Sequence, residues 1–307
     1  MLAESRKKRM ENWYRIYAEL YENPFSSVHT IARKTGISHI TVYRYLRDMR
    51  QYNILKGPYL QMKSLSNYQE YMYLLNFSDP IIVFDWLKHI PHVLYHALTL
   101  GKWNTLIITD LPIDFSRLCR FEDSHFSGLK LKAETPKIQF VSWESWVNWI
   151  DKVNQYDGAP IPNSRESSFL SWGKEEWELY HAFKTNLRKK VMPVLERLGI
   201  SYEVYTDWKK SIDEYCTVLL GFFPENPANS MVHTFLISGD NKDFLTHFCS
   251  HFPVTPVLYD LGECILVGIH VHSANELKEV FSLFNALKEN EIIQDLKYAA
   301  IVKGFQH

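Results

Sequence analysis

The side chains with the clearest chemistry lie between residues 38 and 56. Ser38, His39, Thr41, Tyr43, Arg44, Arg47, Arg50 and Lys56 are donors and cations of the kind that reach base edges and phosphate oxygens. Arg44, Tyr43 and His39 suit bases or adjacent phosphates, and Arg47 and Arg50 suit the backbone. A second basic run, Arg6, Lys7, Lys8 and Arg9, reads as an arm holding the same backbone. Residues 1–56 hold eleven Lys/Arg against five Asp/Glu, net +6, so with the whole chain at −1 residues 57–307 carry −7. A basic module on a mildly acidic body is the charge pattern of a nucleic-acid contact. A basic but purely structural module is the competing reading.

The elements that would position these residues follow from local signals. Ser26 or Ser27 can cap a helix over Val28–Lys34, and Gly36 supplies the positive-φ residue that ends it. Ile31 and Ala32 point inward, and Ile37 plugs the corner. Ser38 caps a second helix in which Val42, Leu46 and Met49 recur at i, i+4, i+7 as one buried stripe. His39, Ile40, Tyr43, Arg44 and Arg47 then fall on the outer face, the face of a helix-turn-helix that enters the major groove. Gly57-Pro58 reads as a turn into a short wing.

The motif recurs in weakened form. Thr35-Gly36-Ile37-Ser38 is echoed by Leu198-Gly199-Ile200-Ser201, and Trp13 and Ala18 by Trp177 and Ala182. Residues 170–213 balance eight cations against seven anions, and Asp207 falls where the first copy has Arg44. Carboxylates there meet phosphates unfavourably, so this copy reads as structural, although Lys209-Lys210 could still touch backbone.

After each helix-turn-helix the pattern is β-α-β-β-α-β, the split ferredoxin-like order. In the first half the strands are Tyr71–Phe77, Val93–Leu100, Asn104–Thr109 and Lys137–Ser142, with helices over Pro80–Ile90 and Ile113–Phe121. In the second, Cys216–Phe223 is extended by His233–Ser238, followed by a helix over Lys242–His251. Strands Pro256–Leu261 and Cys264–Val271, a helix over Asn275–Lys288 and a strand over Tyr298–Lys303 complete it. The domain expectation is 1–62 winged helix-turn-helix, 68–143 α/β domain, 144–170 linker, 171–213 degenerate helix-turn-helix and 214–307 α/β domain. Trp143, at the end of the first α/β domain, and Trp146 and Trp149 of the linker read as packing between repeats. Within the linker the Pro/Gly/Asn cluster Asp157–Ser164 reads as the boundary between the halves.

The stretches Ile31–Leu46 and Gly262–Ile269 resemble the Lrp/AsnC family of feast/famine transcription regulators. The resemblance implies an α+β fold: a winged helix-turn-helix joined to a βαββαβ domain of RAM or ACT-like type. Here that unit is repeated twice, whereas ordinary members have one unit per chain. It further implies a regulator rather than an enzyme, with double-stranded DNA as partner. Association through the RAM-like domains would give a homodimer or higher oligomer presenting two intact helix-turn-helix units. Small-molecule sensing, typically of an amino acid, is implied near the hairpin turns, at Gly101, Trp103, Asn104, Gly262 and Glu263. Turn glycines are also needed for the hairpins alone. Some proteins similar to this family are sirohaem decarboxylases using histidine or arginine around the tetrapyrrole, and this is the alternative function.

Other chemistry reads more weakly. His247 and His251 share a helical face, His270 and His272 a strand face, and His89, His92 and His96 lie close in sequence. Each can serve as cap or core, so no metal or cofactor is expected. Cys119, Cys216, Cys249 and Cys264 form no CxxC pair, and Cys249 and Cys264 sit in apolar runs where a thiol is inert. No apolar run approaches the ~20 residues of a membrane span. The start of the sequence lacks the apolar core of a signal peptide, and a cytoplasmic location is expected.

Overall fold

The computed structural model describes residues 2–147, 168–225, 230–239 and 242–307. Helices α1 (Leu2–Glu22), α2 (Val28–Thr35) and α3 (His39–Gln51) form the first helical unit. Ser27 caps α2 by accepting the Thr30 amide at 3.1 Å, and Ser38 caps α3 through Thr41. Gly36 takes φ +66°, the left-handed conformation that ends α2 and turns the chain into α3. Ile31, Val42, Leu46 and Met49 close on Trp13, Ile16, Tyr17 and Leu20 of α1 in a single core. Arg6–Arg9, expected as an arm, are exposed early turns of α1. Residues 2–22 contain no glycine or proline, and their Ala, Glu, Lys, Arg and Met favour helix.

Helices α6 (Lys174–Phe183), α7 (Val191–Leu198) and α8 (Tyr202–Tyr215) form a second helical unit with the same local devices. Gly199 stands at φ +69°, and Ser201 caps α8 through the Val204 amide at 3.3 Å. The two units share a ribbon of β1 (Leu55–Met62) and β7 (Cys216–Phe222), paired antiparallel. Leu60 and Met62 of β1 finish the core of the second unit, beside Leu179, Phe183 and Trp208. Leu220 and Phe222 of β7 finish the core of the first, with Phe222 stacked on Tyr17 at 5.1 Å. Each unit therefore completes its neighbour. Two expectations change as a result. Gly57-Pro58 is not a turn but lies inside β1, where the register slips between Lys56 and Tyr59. Cys216–Phe222 does not continue into the following strand but forms half of this ribbon.

The remaining strands among the described residues form one sheet, in the order β5-β2-β4-β3-β11-β8-β10-β9-β6. The first half supplies β2 (Glu70–Phe77), α4 (Pro80–Leu87), β3 (Val93–Gly101), β4 (Thr105–Thr109), β5 (Phe121–Lys130), β6 (Lys132–Glu134) and the short α5 (Trp143–Val147). The second supplies β8 (Met231–Ser238), α9 (Lys242–Cys249), β9 (Val257–Asp260), β10 (Cys264–Val271), α10 (Ala274–Glu289) and β11 (Asp295–Gln306). This second half has the βαββαβ order expected. In the first half, Ile113–Phe121 is not a helix; only Phe115–Arg117 makes a single 3-10 turn. Lys137–Ser142 is not a strand, and Phe121–Lys130 takes that place beside β2. The open edge of β2 needed a hydrogen-bonding partner, and that demand outweighed local propensity.

β5 and β6 stand at opposite edges of the sheet yet are separated only by Leu131. One extended segment thus joins both edges, and the sheet curls until it closes on itself. Alternation along the strands sorts its two faces. Met72, Leu74, Leu106, Leu236 and Leu266 point inward around Trp103, which is wholly buried. Tyr73, Leu75 and Ile107 point outward under α4, and Phe235, Ile265 and Val267 outward under α9 and α10. Trp146 is buried against Phe252 at 4.7 Å, which fits the packing role expected of it. Trp149 and the Asp157–Ser164 cluster lie outside the described residues.

Candidate nucleic-acid interface

The capping of α3 by Ser38 and the burial of Val42, Leu46 and Met49 fix which way the helix faces. His39, Ile40, Tyr43, Arg44 and Arg47 all emerge on its open side, with Ile40 71% and Tyr43 65% exposed. Arg44 lies over the Tyr45 ring at 5.5 Å, and Arg47 reaches Asp48 at 3.3 Å. The His39 ring stacks on His29 of α2 at 5.2 Å, so both helices contribute to one surface. Thr41 is partly covered and its hydroxyl accepts from Ser38, so these two serve the cap.

Two of the basic residues expected on this surface do not join it. Arg50 is half-buried; burial pulls its guanidinium below the ordinary arginine range, and its buried Nη2 has no partner. Lys56 lies over the Phe223 ring at 4.9 Å and beside His270, and burial lowers its ammonium likewise. Both are partly covered, Lys56 as part of the ribbon itself, a result of tertiary packing that helical spacing does not reveal. On α8, by contrast, Asp207 is exposed and paired with Lys210 at 2.8 Å, and Glu203 is exposed beside it.

The hairpin residues serve the fold. Gly101 abuts β11 so closely that a Cβ would lie 2.5 Å from the Tyr298 carbonyl. Trp103 fills the interior of the closed sheet. Asn104 spends its side chain on both the amide and the carbonyl of Phe77. Gly262 takes φ +89° with open space around it, and Glu263 is exposed. The first three are therefore in packing or backbone roles, while Gly262 and Glu263 stay accessible.

A cavity of about 440 Å³ lies elsewhere, at the linker into β2, lined by Asn67, Gln69, Tyr71, His92 and Asp110 among others. His92 meets Asp110 there at 3.0 Å. Among the described residues, Glu225, His272 and Glu276 are the one His/carboxylate group whose ligand atoms lie within 4.8 Å of one another. Only His272 of that group was marked by the sequence, since the other two come from distant segments. Burial pushes the Cys249 thiol up and that of Cys264 to about 11, consistent with inert core cysteines. No helix among the described residues is long and apolar enough to cross a membrane.

Residues 6–49, spanning α1 to α3, match the family described as the helix-turn-helix domain of resolvase. The crystal structure of the siroheme decarboxylase NirDL superposes with a TM-score of 0.53 at 10% identity, covering 96% of this chain and 92% of that one. The same enzyme with an iron-uroporphyrin III analogue gives 0.46 at 11% identity over 91% and 86%. Escherichia coli AsnC gives 0.33 at 14% identity, covering 40% of this chain and 91% of that one. No curated protein matches the sequence significantly. The chain is thus an α+β protein with an N-terminal helix-turn-helix, and it shares its overall fold with NirDL.

Proposed function

We propose that the chain is a sequence-specific DNA-binding transcription regulator of Lrp/AsnC type. The observation that carries this reading is the open face of α3, which offers His39, Tyr43, Arg44 and Arg47 without a covering element, on a basic unit that matches a helix-turn-helix family. Base-edge readout by Arg44 and its neighbours accounts for specificity, and Arg6–Arg9 on α1 add phosphate contacts. The second unit and second α/β half are read as a tandem duplication whose copy of the recognition helix has turned acidic. The protein acts in the cytoplasm, as a homodimer or larger assembly that presents two intact units. Gly262 and Glu263 are the remaining hairpin positions for a small-molecule effector. Titrating labelled genomic fragments at several salt concentrations tests the reading; an absence of any sequence preference removes it.

The coverage of both chains in the NirDL superposition favours a second reading, a tetrapyrrole-modifying enzyme. Against it, the interior of the closed sheet is filled by Trp103 and its apolar neighbours. The cavity beside His92 has an acidic group and no lysine or arginine in its lining, a poor match to a polycarboxylate macrocycle. A visible absorption spectrum of the protein mixed with an iron tetrapyrrole separates the two readings: a shifted band favours the enzyme.

A further inference from the structure

Between the two helical units lies a second cavity, of about 310 Å³, whose lining includes Phe25, Ser27, Arg188, Lys189, Tyr205 and Lys209 and no Asp or Glu. Arg188 fastens it to the first unit by donating to the carbonyls of Pro24 and Ser26, the residues that lead into α2. Lys209 of α8 crosses the same gap and lies 4.2 Å over the Phe25 ring. Lys189 donates to the Ala182 carbonyl at 2.5 Å. Of the acids at the end of α1, Glu19 is taken by Lys34 at 2.8 Å and by Ser26 of the cavity wall at 3.0 Å, and Glu22 by Lys137. Arg50 lies outside the lining, with its Nη2 unpartnered, and after burial it is the main influence that lowers Arg188, to about 10. Cations gathered without a carboxylate repel one another, and an anion seated among them removes that repulsion.

We infer that this cavity binds a phosphate group, and that its source is the DNA backbone beside the groove that α3 enters. The inference rests on the regulator reading and extends it: the second unit reads no bases, but it holds a phosphodiester. The position supports that source. Ser27, in the cavity wall, is the N-cap of α2, and α2 shares the His29–His39 surface with α3. The shared β1–β7 ribbon holds the two units in one relation, so the added cations reach the same duplex.

The test compares the wild-type chain with Lys209→Gln, Lys189→Gln and their combination, by fluorescence anisotropy on a duplex across a salt series. Each lost phosphate contact should flatten the plot of log K against log salt by about 1. Affinity should fall several-fold with sequence preference unchanged, and Lys209→Arg should restore it. A wild-type chain that binds no duplex overturns the regulator reading and this clamp together. Wild-type binding with an unaltered slope in the double variant overturns the clamp alone. Titration with inorganic phosphate forms the other arm: a variant-sensitive thermal shift without any change in DNA slope assigns the cavity to free phosphate and overturns the DNA source.

Discussion

Glu70 and Lys130 form an ion pair at 2.5 Å with both side chains almost wholly buried, at the point where β5 leaves one edge of the sheet to become β6 at the other. Gln61 donates to both carboxylate oxygens of Glu70, at 3.2 and 3.0 Å, and the Tyr68 hydroxyl donates at 3.0 Å. Gln61 belongs to β1, so this one carboxylate ties the helical units to the closed sheet. Charges taken this far from water persist only where such partners satisfy them.

Removing one member should therefore be severe. Lys130→Met leaves a buried carboxylate and is expected to destabilise the fold by about 3–5 kcal/mol. The pair Glu70→Gln with Lys130→Met should fall well short of the sum of the single changes. Denaturant melts in a double-mutant cycle read the difference, and additive effects would show that the ion pair has no coupling.

Trp103 should behave as core and not as a ligand contact. Trp103→Ala empties the interior of the closed sheet and is expected to lose about 3–5 kcal/mol. Asn104→Ala removes the bonds to Phe77 and is expected to lose about 1–3 kcal/mol. Equilibrium unfolding checks both, and a near-neutral Trp103→Ala would contradict the packing described.

Acid should weaken the fold through His96. Burial first, then the neighbouring His307 at 3.2 Å and Lys88, holds His96 at about 4 in the folded chain against an ordinary value of 6.5, while a Phe84 backbone bond and Asp85 oppose the shift. The unfolded chain thus binds more protons between these values. The contribution is complete above pH 6.5 and is lost as pH falls through 4. Urea midpoints measured from pH 7 to pH 4 should decline, and His96→Gln should flatten that decline; parallel curves would remove His96 as the cause.

On the DNA face, Arg44→Ala is expected to weaken specific binding by about 1–3 kcal/mol and relax preference at one base position. Arg44→Ala with unchanged affinity and preference would take Arg44 out of the contact. Anisotropy with matched and mutated duplexes makes the measurement.

Local order was legible wherever short-range chemistry decides structure. Ser27, Gly36 and Ser38 announce the first helix-turn-helix because capping and a positive φ act over three or four residues. Val42, Leu46 and Met49 reveal the buried stripe for the same reason, and so which of their neighbours face outward. The second half was readable because Cys264–Val271 is one continuous apolar run, long enough for a strand buried on both faces, and the helix after it keeps one helical hydrophobic period. Phe121–Lys130 carries none, and its strand exists because β2 offers it an edge.

What the residues settled by themselves was the pair of capped helices, the basic surplus before residue 57 and the strand order of the second half. The fold alone decided that β1 and β7 lend their ends to each other's helical unit, that Arg50 and Lys56 turn away from the open face, and that Arg188 meets Pro24 and Ser26, and Lys209 meets Phe25, across a gap. These outcomes join segments more than a hundred residues apart. Side-chain periodicity reports only what a residue's near neighbours do, so distant partners become visible only when the chain has closed around them.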